Sequence, residues 1–153
     1  MKSLFILVIV MTSFSRLVNA QAALTTTPPS VINSFQKTFK EAENVEWELT
    51  ADLFKAKFIY NGQLTYAFFN EQGDLVCIGR STGMQQIPTM LQLSFQNRFS
   101  DYSIRETFEI STYGGTSYYV TITKNGKKII LKSSGMDNWS VLIKEKETVK
   151  VNQ

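Results

Sequence analysis

Ser34-Phe35-Gln36-Lys37-Thr38-Phe39 returns sixty positions later as Ser94-Phe95-Gln96-Asn97-Arg98-Phe99. Each copy opens the same run of signals: an amphipathic helix, two strands, an Asn-Gly turn and two more strands. In the first copy Val31, Phe35 and Phe39 recur at four-residue spacing with Ile32 beside them, while Asn33, Gln36 and Lys37 take the other side. That spacing predicts a helix over about residues 31 to 41 that buries one stripe, with Ser30 as its N-cap. In the second copy Leu91, Phe95 and Phe99 repeat the stripe, and Pro88 stands near the first turn, where its missing N–H costs nothing.

Downstream of the first helix, Val45, Trp47 and Leu49 alternate with Glu46 and Glu48, the pattern of a half-buried strand. Phe54, Ala56, Phe58 and Tyr60 then alternate with Lys55 and Lys57. A reversal at Thr50 to Asp52 would face Glu48 to Lys55 and Glu46 to Lys57, with Trp47 over the small Ala56, so charge and volume select one register. Asn61-Gly62 is a strong signal for a type I′ hairpin, because both residues tolerate positive φ. It pairs Phe58 with Thr65, Ala56 with Ala67 and Phe54 with Phe69. Gly73-Asp74 makes the next turn, and Leu75 to Arg80 is the fourth strand.

The second copy adds strands at Tyr102 to Ile110, Ser117 to Lys124, Lys127 to Ser133 and Asn138 to Lys144. Asn125-Gly126 repeats the hairpin sixty-four positions after Asn61-Gly62, and the four extra residues fit a longer first hairpin at Ser111 to Thr116, with a longer reversal at Gly114-Gly115. Ser81-Thr82-Gly83 reads as a hinge, and Met136-Asp137 as the last turn. The expected fold is α+β: two tandem helix-plus-four-stranded antiparallel units, with the helices packed on one face of a continuous or adjacent sheet. Their expected bounds are 30–80 and 86–145. An extended lead-in is expected over 21–29, where Pro28-Pro29 forbids helix ahead of it, and a loose polar tail over 146–153.

Met1-Lys2, the apolar run Leu4 to Met11 and the small residues Val18-Asn19-Ala20 predict a signal peptide over 1–20, cleaved before Gln21. The apolar core is far shorter than the roughly 20 residues needed to span a bilayer, so the expected product is exported, periplasmic or secreted, without stable membrane insertion. Removing Lys2 and Arg16 lowers the formal charge from +3 to +1, leaving no basic excess to steer the chain to nucleic acid. Cys77 is the sole cysteine, lies in an apolar strand and is expected to be buried, so packing rather than a disulfide must hold the domain.

The absence of histidine removes the commonest general base and the commonest metal ligand. With no histidine, a serine nucleophile would have to borrow a lysine or a carboxylate as its base, and the mature segment has no phosphate loop, zinc spacing or dinucleotide fingerprint. Glu41, Glu43, Glu46 and Glu48 read as a helix end and a solvated strand face opposite Lys55 and Lys57 rather than a calcium or acid-base site. No enzyme, metal or cofactor is expected.

Phe39-Lys40-Glu41-Ala42-Glu43-Asn44-Val45-Glu46-Trp47, Phe54-Lys55-Ala56-Lys57-Phe58, Asn61-Gly62 and Phe69-Asn70-Glu71-Gln72-Gly73-Asp74 together resemble the PepSY-like family of bacterial exported proteins. That family is described as similar to the beta-lactamase-inhibitor protein, with its tandem helix-plus-four-strand units. The resemblance covers nearly all of the mature chain. It departs at Lys40, where a proline often stands, and at Asp101 to Glu106, in place of the valine-to-tryptophan segment. It implies helices on one side of the strands and an open concave face that can grip an enzyme.

The residues themselves place Ile59, Leu64, Tyr66, Phe68, Tyr119, Ile130 and Leu142 out of phase with the expected core. With Lys57 and Lys132, and Lys55, Lys128 and Lys144 around them, they form the candidate partner-binding surface. The function expected from this is a non-enzymatic binding protein that engages an unknown protein or peptide of the cell envelope, inhibitor-like in manner. The alternative is a small-ligand carrier or sensor with an apolar pocket lined by Phe54, Phe58, Phe69 and Phe95.

Overall fold

Pro28 (φ −58°, ψ 146°) delivers the chain into the first helix, α1 (Pro29–Thr38), with proline at its first position. The computed structural model describes residues 27–146. The expected signal peptide, most of the lead-in and the tail beyond 146 lie outside them. Ser30 falls inside the first turn rather than capping it, and its Oγ donates to the Glu71 carbonyl at 3.0 Å. The second helix, α2 (Thr89–Phe99), starts after Pro88 in the same way. Positions 31–40 and 91–100 have the same residue-by-residue order of buried, half-buried and exposed positions, so the sixty-residue repeat is a repeat of helix docking.

The strands are β1 (Glu43–Thr50), β2 (Leu53–Tyr60), β3 (Gln63–Phe69), β4 (Leu75–Ser81), β5 (Ser103–Thr112), β6 (Gly115–Lys124), β7 (Lys127–Ser134) and β8 (Asn138–Lys146). They form one eight-stranded sheet in chain order. The expectation of two tandem helix-plus-four-stranded units is therefore corrected to a mostly β fold, a single sheet with two short helices. Ser81-Thr82-Gly83 misled because its composition reads as a hinge. In fact β4 runs through Ser81, and the Thr82 N–H donates to the Thr107 carbonyl at 3.0 Å, which carries the ladder on. By compactness the chain divides between Gly79 and Arg80.

The register read from charge and volume is the register observed: Glu46 lies across from Lys57, Trp47 from Ala56 and Glu48 from Lys55. Beyond Asn61-Gly62, Phe54 pairs with Phe69, Ala56 with Ala67 and Phe58 with Thr65. Both Asn-Gly turns have two positive φ angles, 52° and 72° in the first and 49° and 66° in the second, as a type I′ hairpin requires.

The β5–β6 reversal differs from expectation. Thr112 pairs with Gly115, so Tyr113-Gly114 make a tight turn, and the extra residues of the second copy lengthen β5 and β6 to ten residues each. Thr112 Oγ1 secures this turn by accepting from the Gly114 N–H and donating to the Gly115 carbonyl, both at 3.2 Å.

Two apolar cores sit beneath the helices. Val31, Phe35 and Phe39 pack on Phe54, Ala56, Phe58, Ala67 and Phe69. Leu91, Phe95 and Phe99 pack on Val120, Ile122, Ile129, Leu131 and Trp139, with Ile87. The four rings nearest Phe35 are Phe39, Trp47, Phe58 and Phe69, at centroid distances of 4.9 to 6.3 Å, edge-on or tilted as ring quadrupoles favour.

Candidate functional site

On the strand face away from α1, cross-strand pairing sets Lys57 opposite Tyr66, Lys55 opposite Phe68 and Ile59 opposite Leu64. The equivalent face in the second half sets Lys132 opposite Tyr119 and Thr121 opposite Ile130. The phase assignment thus brings these residues onto the expected faces, but their exposure differs from expectation. Tyr66 is 6% exposed, Phe68 0%, Tyr119 4% and Ile130 3%. Ile59, Leu64, Leu142, Lys57 and Lys132 are half-buried.

The reading of the four buried residues as free surface is corrected, and β3 and β6 show why. Thr65 to Phe69 and Tyr119 to Thr123 are buried at every successive position, so both faces of these strands are covered. Alternation sorts side chains between two faces but carries no information on whether the second face is covered. Leu142 departs for another reason. Ile130 pairs with Ile143 and Leu131 with Val141, so Leu142 sits in a bulge and Ile143 takes the place beside Ile130.

What remains accessible on this face includes lysines and the carboxylates that pair with them. Lys57 donates to Glu46 at 2.8 Å, and that hydrogen bond, followed by the carboxylate charge, raises its pKa. Lys132 lies over the Tyr119 ring with its ammonium 5.8 Å from the centroid, a cation–π arrangement. Lys55 is 5% exposed and ion-paired with Glu48, and Lys128 lies 3.8 Å from Glu145. Glu106 on β5 is pushed up by burial, which the charge of Lys128 partly offsets.

The apolar ligand pocket expected among Phe54, Phe58, Phe69 and Phe95 does not form. The first three fill the core under α1, and Phe95 belongs to the core under α2, against Phe99 and Trp139. The first half carries instead a groove of about 300 Å³ at its rim, lined by Ile32, Phe35, Gln36, Phe39, Lys40, Ala42, Val45 and Trp47. It runs between α1 and β1, and Val45 and Leu49 of that strand are 37% and 46% exposed. The alternation of Val45, Trp47 and Leu49 was legible in the sequence. The groove was not, because it depends on how far α1 sits from the strand.

No three His, Cys, Asp or Glu side chains gather into a metal-holding group among the described residues. Cys77 is 2% exposed, and burial pushes its thiol up to about 12. A thiol so placed is protonated and unreactive at neutral pH. None of the described helices is long and apolar enough to cross a membrane.

No family model and no curated protein matches the chain. Solved structures do. A protein from Bacteroides eggerthii, described as a candidate periplasmic protein, superposes with a TM-score of 0.72 at 17% identity, over 81% of this chain and 93% of its own. A DUF2874 family protein from Bacteroides uniformis gives 0.70 at 16% identity, over 80% and 91%. A BLIP-like protein from Bacteroides fragilis gives 0.65 at 15% identity, over 93% and 96%. At these identities the likeness is one of fold, and the fold it identifies is BLIP-like.

Proposed function

We propose that this chain is an exported, non-enzymatic binding protein that engages a protein or peptide of the cell envelope through the strand face opposite its helices. The observation that carries the proposal is the recurrence of one pairing in both halves: a buried tyrosine, Tyr66 or Tyr119, across from a half-buried lysine, Lys57 or Lys132. A sheet face with Lys132 over the Tyr119 ring, Lys57 paired with Glu46, and Ile59, Leu64 and Leu142 half-buried suits a protein contact better than turnover of a substrate. The BLIP-like neighbour and the neighbour described as a periplasmic candidate support binding and export, as does the leader-like start of the chain.

The test is cross-linking in the native envelope followed by mass spectrometry, with wild type compared to the Lys57→Gln/Lys132→Gln double variant. Melting should change little, since the Lys57 to Glu46 pair is solvent-exposed and worth at most about 1 kcal/mol. Captured partners should be lost. Recovery of the same partners at the same yield by the variant would remove the lysine-bearing face from the interface.

A further inference from the structure

We propose that the groove between α1 and β1 is a second docking site, which takes a short extended peptide of alternating apolar and basic residues as an added strand on β1. The site needs neither Tyr66 nor Tyr119, and it meets the face invoked above only at Glu46 and Glu48, the partners of Lys57 and Lys55.

β1 is a terminal strand of the sheet, and its only strand neighbour among the described residues is β2. Its outer edge therefore offers backbone N–H and C=O groups for pairing. Terminal strands are usually protected by charged side chains, lysine above all, by proline or by a bulge, and β1 has only its glutamates for the first of these. β8, at the other end of the sheet order, carries exposed Lys144 and Lys146. β1 has neither lysine nor proline, and its bulge is confined to the start, where Asn44 takes a positive φ of 53° and the register shifts between Glu43 and Glu46. Glu46 to Thr50 form an unbroken stretch, which sets the length of the added strand at about five residues.

The chemistry of the occupant follows from the two faces of that stretch. Towards α1, Trp47 and, just ahead of the stretch, Val45 line the groove with Phe35 and Phe39, so alternate side chains of an added strand would meet a largely apolar surface beside Gln36 and Lys40. Away from α1, Glu46 and Glu48 keep side-chain exposures of 70% and 57% although Lys57 and Lys55 already flank them from β2. Carboxylates this open can accept a second cation from the outer side. β2 already satisfies both faces from the inner side with Phe54-Lys55-Ala56-Lys57-Phe58. The occupant is predicted to repeat that pattern from the outer side, and antiparallel pairing is the stronger of the two orientations.

The probe is a capped synthetic peptide with the β2 sequence Leu53 to Tyr60, titrated into the full-length mature protein by fluorescence anisotropy, with amide NMR to locate it. Saturable binding is expected, with shifts confined to β1, α1 and the Lys40 to Ala42 loop. Three changes should each weaken it at least tenfold, or about 1.4 kcal/mol. These are Val45→Lys in the protein, glutamate for both lysines in the peptide, and N-methylation of alternate peptide amides, which spares every side chain but blocks the ladder. Val45→Lys should melt as wild type does, because Val45 is exposed. Absence of saturable binding, equal binding of the N-methylated or glutamate peptide, or shifts elsewhere would overturn the proposal. So would concentration-dependent self-association through β1 that the peptide fails to compete with, since the occupant would then be a second copy of the chain.

Discussion

The two helices carry the same stripe and bury it in the same order, yet the tryptophan that accompanies each core lies at opposite ends of the strand sequence. In the first half Trp47 belongs to β1, is half-buried, and meets Phe35 edge-on at 5.2 Å while also lining the open groove. In the second half Trp139 belongs to β8 and is 2% exposed, and its Nε1–H donates to the Leu91 carbonyl at 2.9 Å. Arg98 adds a further tie from α2 by donating to the Trp139 carbonyl at 2.9 Å. α1 is instead tied at its start, by Ser30 to Glu71. A repeated helix fixes which of its residues go inside. Which strand closes the layer over it is set elsewhere, and that choice decides where a hollow is left.

The largest test of this comparison is Phe35→Ala against Phe95→Ala. Each should cost about 3–5 kcal/mol in urea unfolding, with Phe35→Ala the worse, since its ring is enclosed by Phe39, Trp47, Phe58 and Phe69. Equal losses would mean that the open groove side already lets the first core relax.

The turns that abut the helices differ next. A Cβ on Gly73 would stand 2.7 Å from the Ser30 carbonyl oxygen at a φ of +90°, whereas one on Gly135 would meet only Asp137 Oδ1 at 3.6 Å. Gly73→Ala should therefore cost about 2 kcal/mol or more, and Gly135→Ala about 1, both read from denaturant midpoints.

Trp139→Phe should cost about 1–2 kcal/mol through the lost hydrogen bond and the unfilled volume, while Trp47→Phe should cost less than about 0.5. Thermal melts of the two variants would show whether only one tryptophan serves as an anchor.

The smallest effect is a gain. Ala51 and Asp52 close the β1–β2 hairpin with φ of 41° and 69°, a conformation alanine adopts at a cost. Replacing the pair by Asn-Gly, as in the β2–β3 hairpin, should raise stability by about 1 kcal/mol, measured by chemical unfolding.

Much of the first half was legible because its signals are local and redundant. Glu46, Glu48, Lys55 and Lys57 select one register, and Asn61-Gly62 selects the next. The phenylalanine stripes of both helices were equally plain. The choice of one sheet over two tandem units was not legible, since Ser81-Thr82-Gly83 has the composition of a hinge while Ser81 and the Thr82 N–H continue a ladder. The alternation placed Tyr66 and Tyr119 on the strand face away from the core without showing that they are buried there. The Leu142 bulge and the groove beside Trp47 depend on long-range packing that no local pattern encodes.

The lone thiol of Cys77 has a consequence in time rather than in space. An oxidising envelope can reach it only while the chain is open, because in the folded state burial and a pKa of about 12 withhold the thiolate. A chain that folds promptly is thus expected to keep a reduced cysteine, whereas one that lingers open exposes the thiol to oxidation.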